Sequence, residues 1–212
     1  FCQTKRGVDG LTESLNALGV RAMALHGDLE QRQRDDVLLK FRHGSIRMLI
    51  ATDVAARGLD IEALPMVVNF DLPQDLETYV HRIGRTGRAD AVGEAVSLFV
   101  PKETFKIERL EANREVVIKP VSAPDFKAEL PVLPPAAFRT IEISRGRKDK
   151  IRPGDILCAI TGSLGFSGSI VGKIDITPRA SFVSIEKSEA HAVFKALGNG
   201  LIKRRHPKVR LF

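Results

Sequence analysis

Tryptophan is absent from the 212 residues, tyrosine occurs once, and cysteine occurs twice, as Cys2 and Cys158. Two cysteines so far apart, with no Cys or His at metal-ligand spacing around them, argue against a disulfide framework or a zinc site. No apolar run approaches the roughly 20 residues that a membrane span needs, and the first residues carry no basic region leading into an apolar stretch. A phosphate-cradling loop of the form G-x-x-x-x-G-K-[ST] is missing as well. The nearest string, Gly168-Ser169-Ile170-Val171-Gly172-Lys173-Ile174, has three intervening residues and an isoleucine after the lysine. What is present is a globular composition, 43% hydrophobic, with room for one or two cores and a cytoplasmic setting as the expectation.

Charge is unevenly placed. Residues 1–128 hold 18 Lys and Arg against 19 Asp and Glu, whereas residues 129–212 hold 15 against 7, so the net charge of +7 comes entirely from the second stretch. A basic module joined to a near-neutral one points to a polyanion, most often nucleic acid. The change coincides with Pro120, Pro124, Pro131, Pro134 and Pro135, which mark residues 119–138 as a linker or extended strap. The expected organisation is therefore a domain over 1–118, the linker, and a second domain over 139–212.

Within the first domain, strand-like runs at 21–25, 47–51, 66–70 and 95–100 alternate with helical patterns at 8–18, 29–41, 75–83 and 102–113. Such alternation predicts an α/β fold with a parallel sheet and flanking helices. In the second, a strand at 140–144, a helix at 153–161, strands at 170–176 and 181–186, a helix at 188–197 and a strand at 209–212 give the βαββαβ order of a split βαβ domain. Pro153 and Asp155 suit the first turn of a helix, Ser188 suits an N-cap, and Gly198 suits a helix stop.

Two strings carry candidate chemistry. Thr52-Asp53-Val54-Ala55-Ala56-Arg57-Gly58-Leu59-Asp60 follows a buried strand, where parallel sheets bind ligands. His81-Arg82-Ile83-Gly84-Arg85-Thr86-Gly87-Arg88 sets three arginines in seven residues. If the segment stays near-helical, Arg82, Arg85 and Arg88 share a face at i,i+3 spacing and repel one another, so an anion there would relieve them. The competing reading pairs these arginines with Asp60, Asp71, Asp75 or Glu77.

Together with Phe1-Cys2-Gln3-Thr4-Lys5 and with His26-Gly27-Asp28 followed by Gln31 and Arg34, these strings resemble the successive motifs of the second RecA-like domain of the DEAD-box RNA helicases. The resemblance implies a RecA-like fold and makes Arg85 and Arg88 the arginine fingers that reach the γ-phosphate of ATP. That nucleotide, with its Mg2+, would be held mainly by the family's other RecA-like domain. By the same resemblance Gly58 and Asp60 lie beside the nucleotide, His81, Arg82 and Asp53 belong to the network between motifs, and Gln3, Gly27, Arg34 and Thr52 hold the RNA backbone. The family's Asp-Glu-Ala-Asp string and Ser-Ala-Thr motif do not occur in the sequence. The resemblance thus further implies a piece of a longer protein, lacking its N-terminal RecA-like partner in cis and unable to hydrolyse ATP alone.

The βαββαβ order of the tail suggests an RRM-like RNA-binding module. Its usual base-stacking platform is degenerate: aligned on the K/R-G-F/Y-G/A-F-V-x-F/Y template, only Phe182 is aromatic, and Thr140, Glu142 and Ser144 cannot stack. Binding is expected instead through Arg145, Arg147, Lys148, Lys150, Arg152, Lys173, Lys203, Arg204, Arg205 and Lys208. The run into the helix at Pro153 would favour a phosphate, and hence a structured hairpin over an extended single strand. Gly146-Arg147-Lys148, Arg152-Pro153-Gly154-Asp155-Ile156 and Ala159-Ile160-Thr161-Gly162 also resemble the C-terminal RNA-binding domain of one bacterial branch of the same family. That resemblance implies a hairpin of 23S ribosomal RNA as partner, in assembly of the large ribosomal subunit. The alternative is a non-enzymatic RNA-binding or annealing protein in which the RecA-like half is a scaffold.

Overall fold

The computed structural model describes residues 1–59, 61, 64–87, 92–112, 118–121 and 134–212. In chain order its first part forms α1 (Lys5–Ala17), β1 (Ala22–Leu25), α2 (Gln31–Arg42), β2 (Met48–Ala51), α3 (Asp53–Ala56), β3 (Met66–Asn69), α4 (Leu76–Ile83), β4 (Glu94–Ser97) and α5 (Thr104–Glu111). The second part forms β5 (Phe138–Ile143), α6 (Pro153–Cys158), β6 (Val171–Ile176), β7 (Ser181–Glu186), α7 (Ala190–Asn199) and β8 (Val209–Leu211). Most of the linker expected at 119–138, residues 122–133, lies outside the described residues. No described helix is long and apolar enough to cross a membrane.

The chain divides into two compact units. One contains Phe1–Gln31 and Leu49–Pro134, the other Arg32–Met48 and Pro135–Phe212. In the first, β1 pairs with β2, and β3 runs parallel to β4 with Val67 opposite Ala95. Residues 1–3 lie between these pairs, since the Cys2 N–H donates to the Ala51 carbonyl at 3.0 Å and the Phe70 N–H to the Phe1 carbonyl at 3.0 Å. The α/β reading thus stands, with two differences. The strand expected at 95–100 ends at Ser97, because its partner β3 ends at Asn69, opposite Ser97, and Pro101 opens a 3₁₀ turn. The short α3 was hidden in sequence by its four-residue length.

In the second unit a four-stranded sheet runs β6-β7-β5-β8, every neighbouring pair antiparallel. The β-branched residues of its strands pack on α6 and α7: Ile141, Ile143, Val183, Ile185, Ile156 and Val193 are all fully buried. Each such side chain contributes about 1.5–3 kcal/mol of transfer free energy. Helix α7 starts at Ala190 rather than at Ser188, because the Glu189 N–H first closes a turn onto the Glu186 carbonyl at the end of β7. It runs past Gly198 to a cap at Gly200.

The opposite sheet face is covered by the end of α2 and the turn after it, which is why residues 32–48 belong to this unit. Ser45 Oγ lies 2.6 Å from Thr140 Oγ1. The His43 ring contacts Ser184 Oγ at 2.7 Å through Nδ1 and Asp175 Oδ2 at 3.1 Å through Nε2. Thr140 and Ser184 face away from the aliphatic core yet are fully buried. Burial pushes the His43 imidazole below its ordinary pKa, with Asp175 working in the opposite direction.

Gly146 follows β5 where the chain passes against the β6–β7 turn. A Cβ added there would stand 2.3 Å from the Thr177 carbonyl and 2.7 Å from the Arg179 and Ala180 nitrogens. Backbone atoms on both sides leave nothing flexible to yield. Gly146→Ala is expected to destabilise this unit by about 1–3 kcal/mol, read as a lower urea midpoint at unchanged slope. An unchanged midpoint would mean that the loop relaxes freely.

Candidate functional sites

The first site is built on the turns after β2 and α4. Beyond Ala51 the chain makes α3, and Gly58, with φ of 73°, then turns in the left-handed region that glycine adopts without strain. Helix α4 begins at Asp75, whose carboxylate accepts from the Thr78 N–H at 2.7 Å and the Thr78 hydroxyl at 2.9 Å. Those two bonds hold the Asp75 carboxyl below its usual pKa. The helix ends at Ile83 with Gly84 as its cap, so Arg82 and Arg85 do not share a helical face as the near-helical reading expected. Beyond the cap, the Leu64 N–H bonds the Arg85 carbonyl at 2.9 Å, and the Thr86 hydroxyl bonds the Leu64 carbonyl.

Arg82, 2% exposed, is the interior residue of the group. Its Nε and Nη2 donate to the two oxygens of Asp53 at 2.6 and 2.8 Å, a bidentate pair. Nη1 donates to Asn69 Oδ1 at 3.0 Å and to the Asp71 carbonyl at 2.6 Å. One guanidinium thus ties the carboxyl ends of β2 and β3 together. Arg82 thus pairs with Asp53 rather than with the expected Asp71, Asp75 or Glu77, and Asp71 takes part only through its backbone.

Arg85 is half-buried, and its Nη1 donates to the Leu59 carbonyl at 2.7 Å across the Gly58 turn. A shallow cleft is lined by Asp53, Arg57, Thr78, His81, Arg82 and Arg85. Both oxygens of the one carboxylate among its described lining residues are taken by Arg82, so the remaining cations leave the cleft suited to an anion. Asp60 and Arg88 lie outside the described residues. Among the described residues no cluster of metal-ligating side chains occurs.

Gln3 and Gly27 are exposed, and Thr52 is nearly buried, its N–H bonded to the Leu25 carbonyl at 3.3 Å. Arg34 lies on α2, in the second unit.

The second site is one end of the four-stranded sheet. The loop after β5 is held there because the Arg147 N–H donates to the Thr177 carbonyl at 2.9 Å and the Lys148 N–H to Pro178 at 3.0 Å. The approach to β8 joins it, with the Ser144 N–H on the Lys208 carbonyl at 2.9 Å. Arg147, Lys148, Lys150, Arg152, Arg204, Arg205 and Lys208 are all exposed around this end. Arg179, exposed in the β6–β7 turn, is a further cation there that sequence reading missed; its signal is the Thr177-Pro178 turn dipeptide.

Three expected contacts are placed differently. Arg145 is buried and donates to the Ile202 carbonyl at 2.6 Å. Lys173 lies on β6, 3.7 Å from Asp175, short of the basic end. The amino end of α6 is met by the chain's own acid, Asp155, which accepts from the Arg152 N–H at 2.7 Å, and the α-helical part passes after Cys158 into a π-helical turn at Ala159–Ser163. An external phosphate at that terminus is therefore not supported.

Comparison with known proteins places these sites in context. Residues 1–90 match the helicase conserved C-terminal domain, and residues 140–211 match the DbpA RNA binding domain. ATP-dependent RNA helicase DbpA of Escherichia coli is 43% identical over 211 residues, covering 100% of this chain and 46% of the relative. The crystal structure of a DEAD box protein from Methanococcus jannaschii superposes with a TM-score of 0.55 at 45% identity, covering 57% of this chain and 34% of that one. The E. coli DEAD-box protein SrmB, solved bound to regulator of ribonuclease activity A, gives 0.51 at 35% identity, over 55% of this chain and 68% of that one. The chain spans less than half the length of the DbpA relatives.

Proposed function

The chain belongs to the DEAD-box RNA helicases, as the C-terminal half of their architecture with a DbpA-type RNA-binding domain, and on that premise we propose that it serves an ATP-dependent RNA-unwinding engine. Residues 1–118 act as the second RecA-like half and residues 139–212 as the anchor. Arg85 and Arg88 supply positive charge to the phosphoryl group in transfer, while ATP and its Mg2+ are held mainly by a first RecA-like domain. Catalysis of phosphoryl transfer rests chiefly on positioning and charge stabilisation, and an arginine supplied across a cleft is the family of device that provides both. Gly58 and Asp60 border the nucleotide, His81 joins the Arg82–Asp53 network, and Gln3, Gly27, Arg34 and Thr52 meet the RNA backbone without reading bases. The setting proposed is cytoplasmic.

The observation that carries this reading is the Arg82–Asp53 pair. It uses one arginine of the triplet as an internal strut, which leaves Arg85 fixed at the rim of an electropositive cleft. A scaffold has no use for that division of labour.

For the basic end the proposed ligand is a hairpin of 23S ribosomal RNA, in large-subunit assembly. Exposed cations on three loops, beside a sheet face already covered by His43 and Ser45, favour a phosphate-lined, folded RNA over a stacked single strand. The test is a fluorescence titration of the chain with that hairpin and with a scrambled single strand at several salt concentrations. The hairpin should bind at least about tenfold more tightly, with log Kd rising in log salt by roughly 0.7–0.9 per phosphate contacted. Equal affinity for both RNAs would remove the ribosomal assignment.

A further inference from the structure

Among the described residues only three non-glycine positions have positive φ: Lys150 at 60°, Lys203 at 48° and Arg204 at 62°. All three meet in one place. Lys203 and Arg204 are the central residues of a tight turn closed by reciprocal backbone bonds between Ile202 and Arg205, at 3.0 and 3.2 Å. Two consecutive left-handed residues define the kind of turn that Asn-Gly forms with least strain, whereas lysine and arginine carry a Cβ that opposes it. Strain of this kind persists where the surroundings over-determine it, and it concentrates at functional sites.

The surroundings here are specific. The Lys203 ammonium donates to Asp155 Oδ2 at 2.8 Å and to the carbonyl of Lys150, the third left-handed residue. The Ile202 carbonyl accepts from buried Arg145, and the Ile202 side chain is 1% exposed in the core. The hydrogen bond from Lys203 is also the largest cause holding the Asp155 carboxyl below its ordinary pKa. Lys203 therefore points inward along the protein surface, joining the 202–205 turn to the 147–152 loop, while Arg204 and Arg205 stay exposed beyond it.

We infer that Lys203 is a positioning residue rather than an RNA contact: its ammonium latches two basic loops together, so that Arg204, Arg205, Lys148 and Lys150 meet an RNA phosphate backbone as one preorganised array. Binding then no longer has to order the two loops separately. The inference rests on the proposal that this end binds RNA.

Asp155→Asn separates latch from contact, because the two roles predict opposite signs. If Lys203 touches phosphates, removing the neighbouring carboxylate frees it and strengthens hairpin binding. If Lys203 is a latch, the same change weakens binding although it removes a negative charge from a basic surface. With the 23S hairpin as probe, Asp155→Asn and Lys203→Met should each raise Kd roughly tenfold, and the double variant should do no worse than either. The salt slope of Lys203→Met should stay at the parental value, whereas Arg204→Gly, which also relaxes the turn, should lower it by roughly 0.7–0.9. Lys203→Arg, which keeps a donor near Asp155, should restore most of the affinity and serves if Lys203→Met proves unstable in urea. Tighter binding by Asp155→Asn, or a reduced slope in Lys203→Met, would overturn the latch alone. Absence of hairpin binding by the unaltered chain would overturn both the latch and the RNA assignment beneath it.

Discussion

Arg85→Ala, in a protein carrying both RecA-like domains, should lower RNA-stimulated ATP hydrolysis by about 10³-fold or more, while hairpin affinity stays within about twofold. The magnitude follows from what a guanidinium does in phosphoryl transfer: it stabilises charge on the transferring oxygens in a site from which water has been expelled. Geometry makes the variant interpretable. Arg85 is half-buried and, among the described residues, its side chain donates to the Leu59 carbonyl, so its loss opens the Gly58 turn without stranding a buried charge. Arg85→Lys keeps the charge and loses the fork, and should recover only part of the rate. Single-turnover hydrolysis at saturating ATP, beside a urea midpoint for each variant, checks this. Hydrolysis within about tenfold of the parent would sink the finger assignment and revive the scaffold reading.

Arg82 gives the opposite outcome, a loss of fold rather than of rate. Asp53→Ala leaves a guanidinium that is 2% exposed without its carboxylate and should cost about 3–5 kcal/mol. Arg82→Leu should cost less, because the stranded Asp53, with a quarter of its side chain exposed, can take up water. Urea unfolding of the first unit measures the difference, and the order of the two variants is the sharper result. Equal small losses would mean that the pair is solvated and that Arg85 is held at the cleft by something else.

How far the sequence could be read depended on the range of the interaction. Apolar alternation located β1, β2 and β3 to within a residue or two, since strand periodicity is local. The βαββαβ order of the tail was equally legible, and it matches the observed β6-β7-β5-β8 sheet. Arg82 and Arg85 looked alike in a row of three arginines. Only the meeting of α4 with the end of β2 makes one a strut and the other a rim residue. Charge and position alone make Lys203 an RNA contact; nothing local announces that Asp155, 48 positions earlier, faces it across the fold. The burial of Thr140 and Ser184 had no signal either, because what covers them is His43 and Ser45, which stand far upstream.

That covering segment also sets a schedule for the chain during synthesis. Ser45 leaves the ribosome 95 residues before Thr140, and His43 141 residues before Ser184. At about 5–20 residues per second, helix α2 and its turn wait some 5–30 s for the strands they will cover. Throughout that interval residues 32–48 are an unfinished surface, and the second unit has no contiguous stretch of chain from which to nucleate completely. Such long-separated contacts slow folding, so this segment is where a chaperone, or a premature stop after the proline-rich stretch, would have its largest influence on yield.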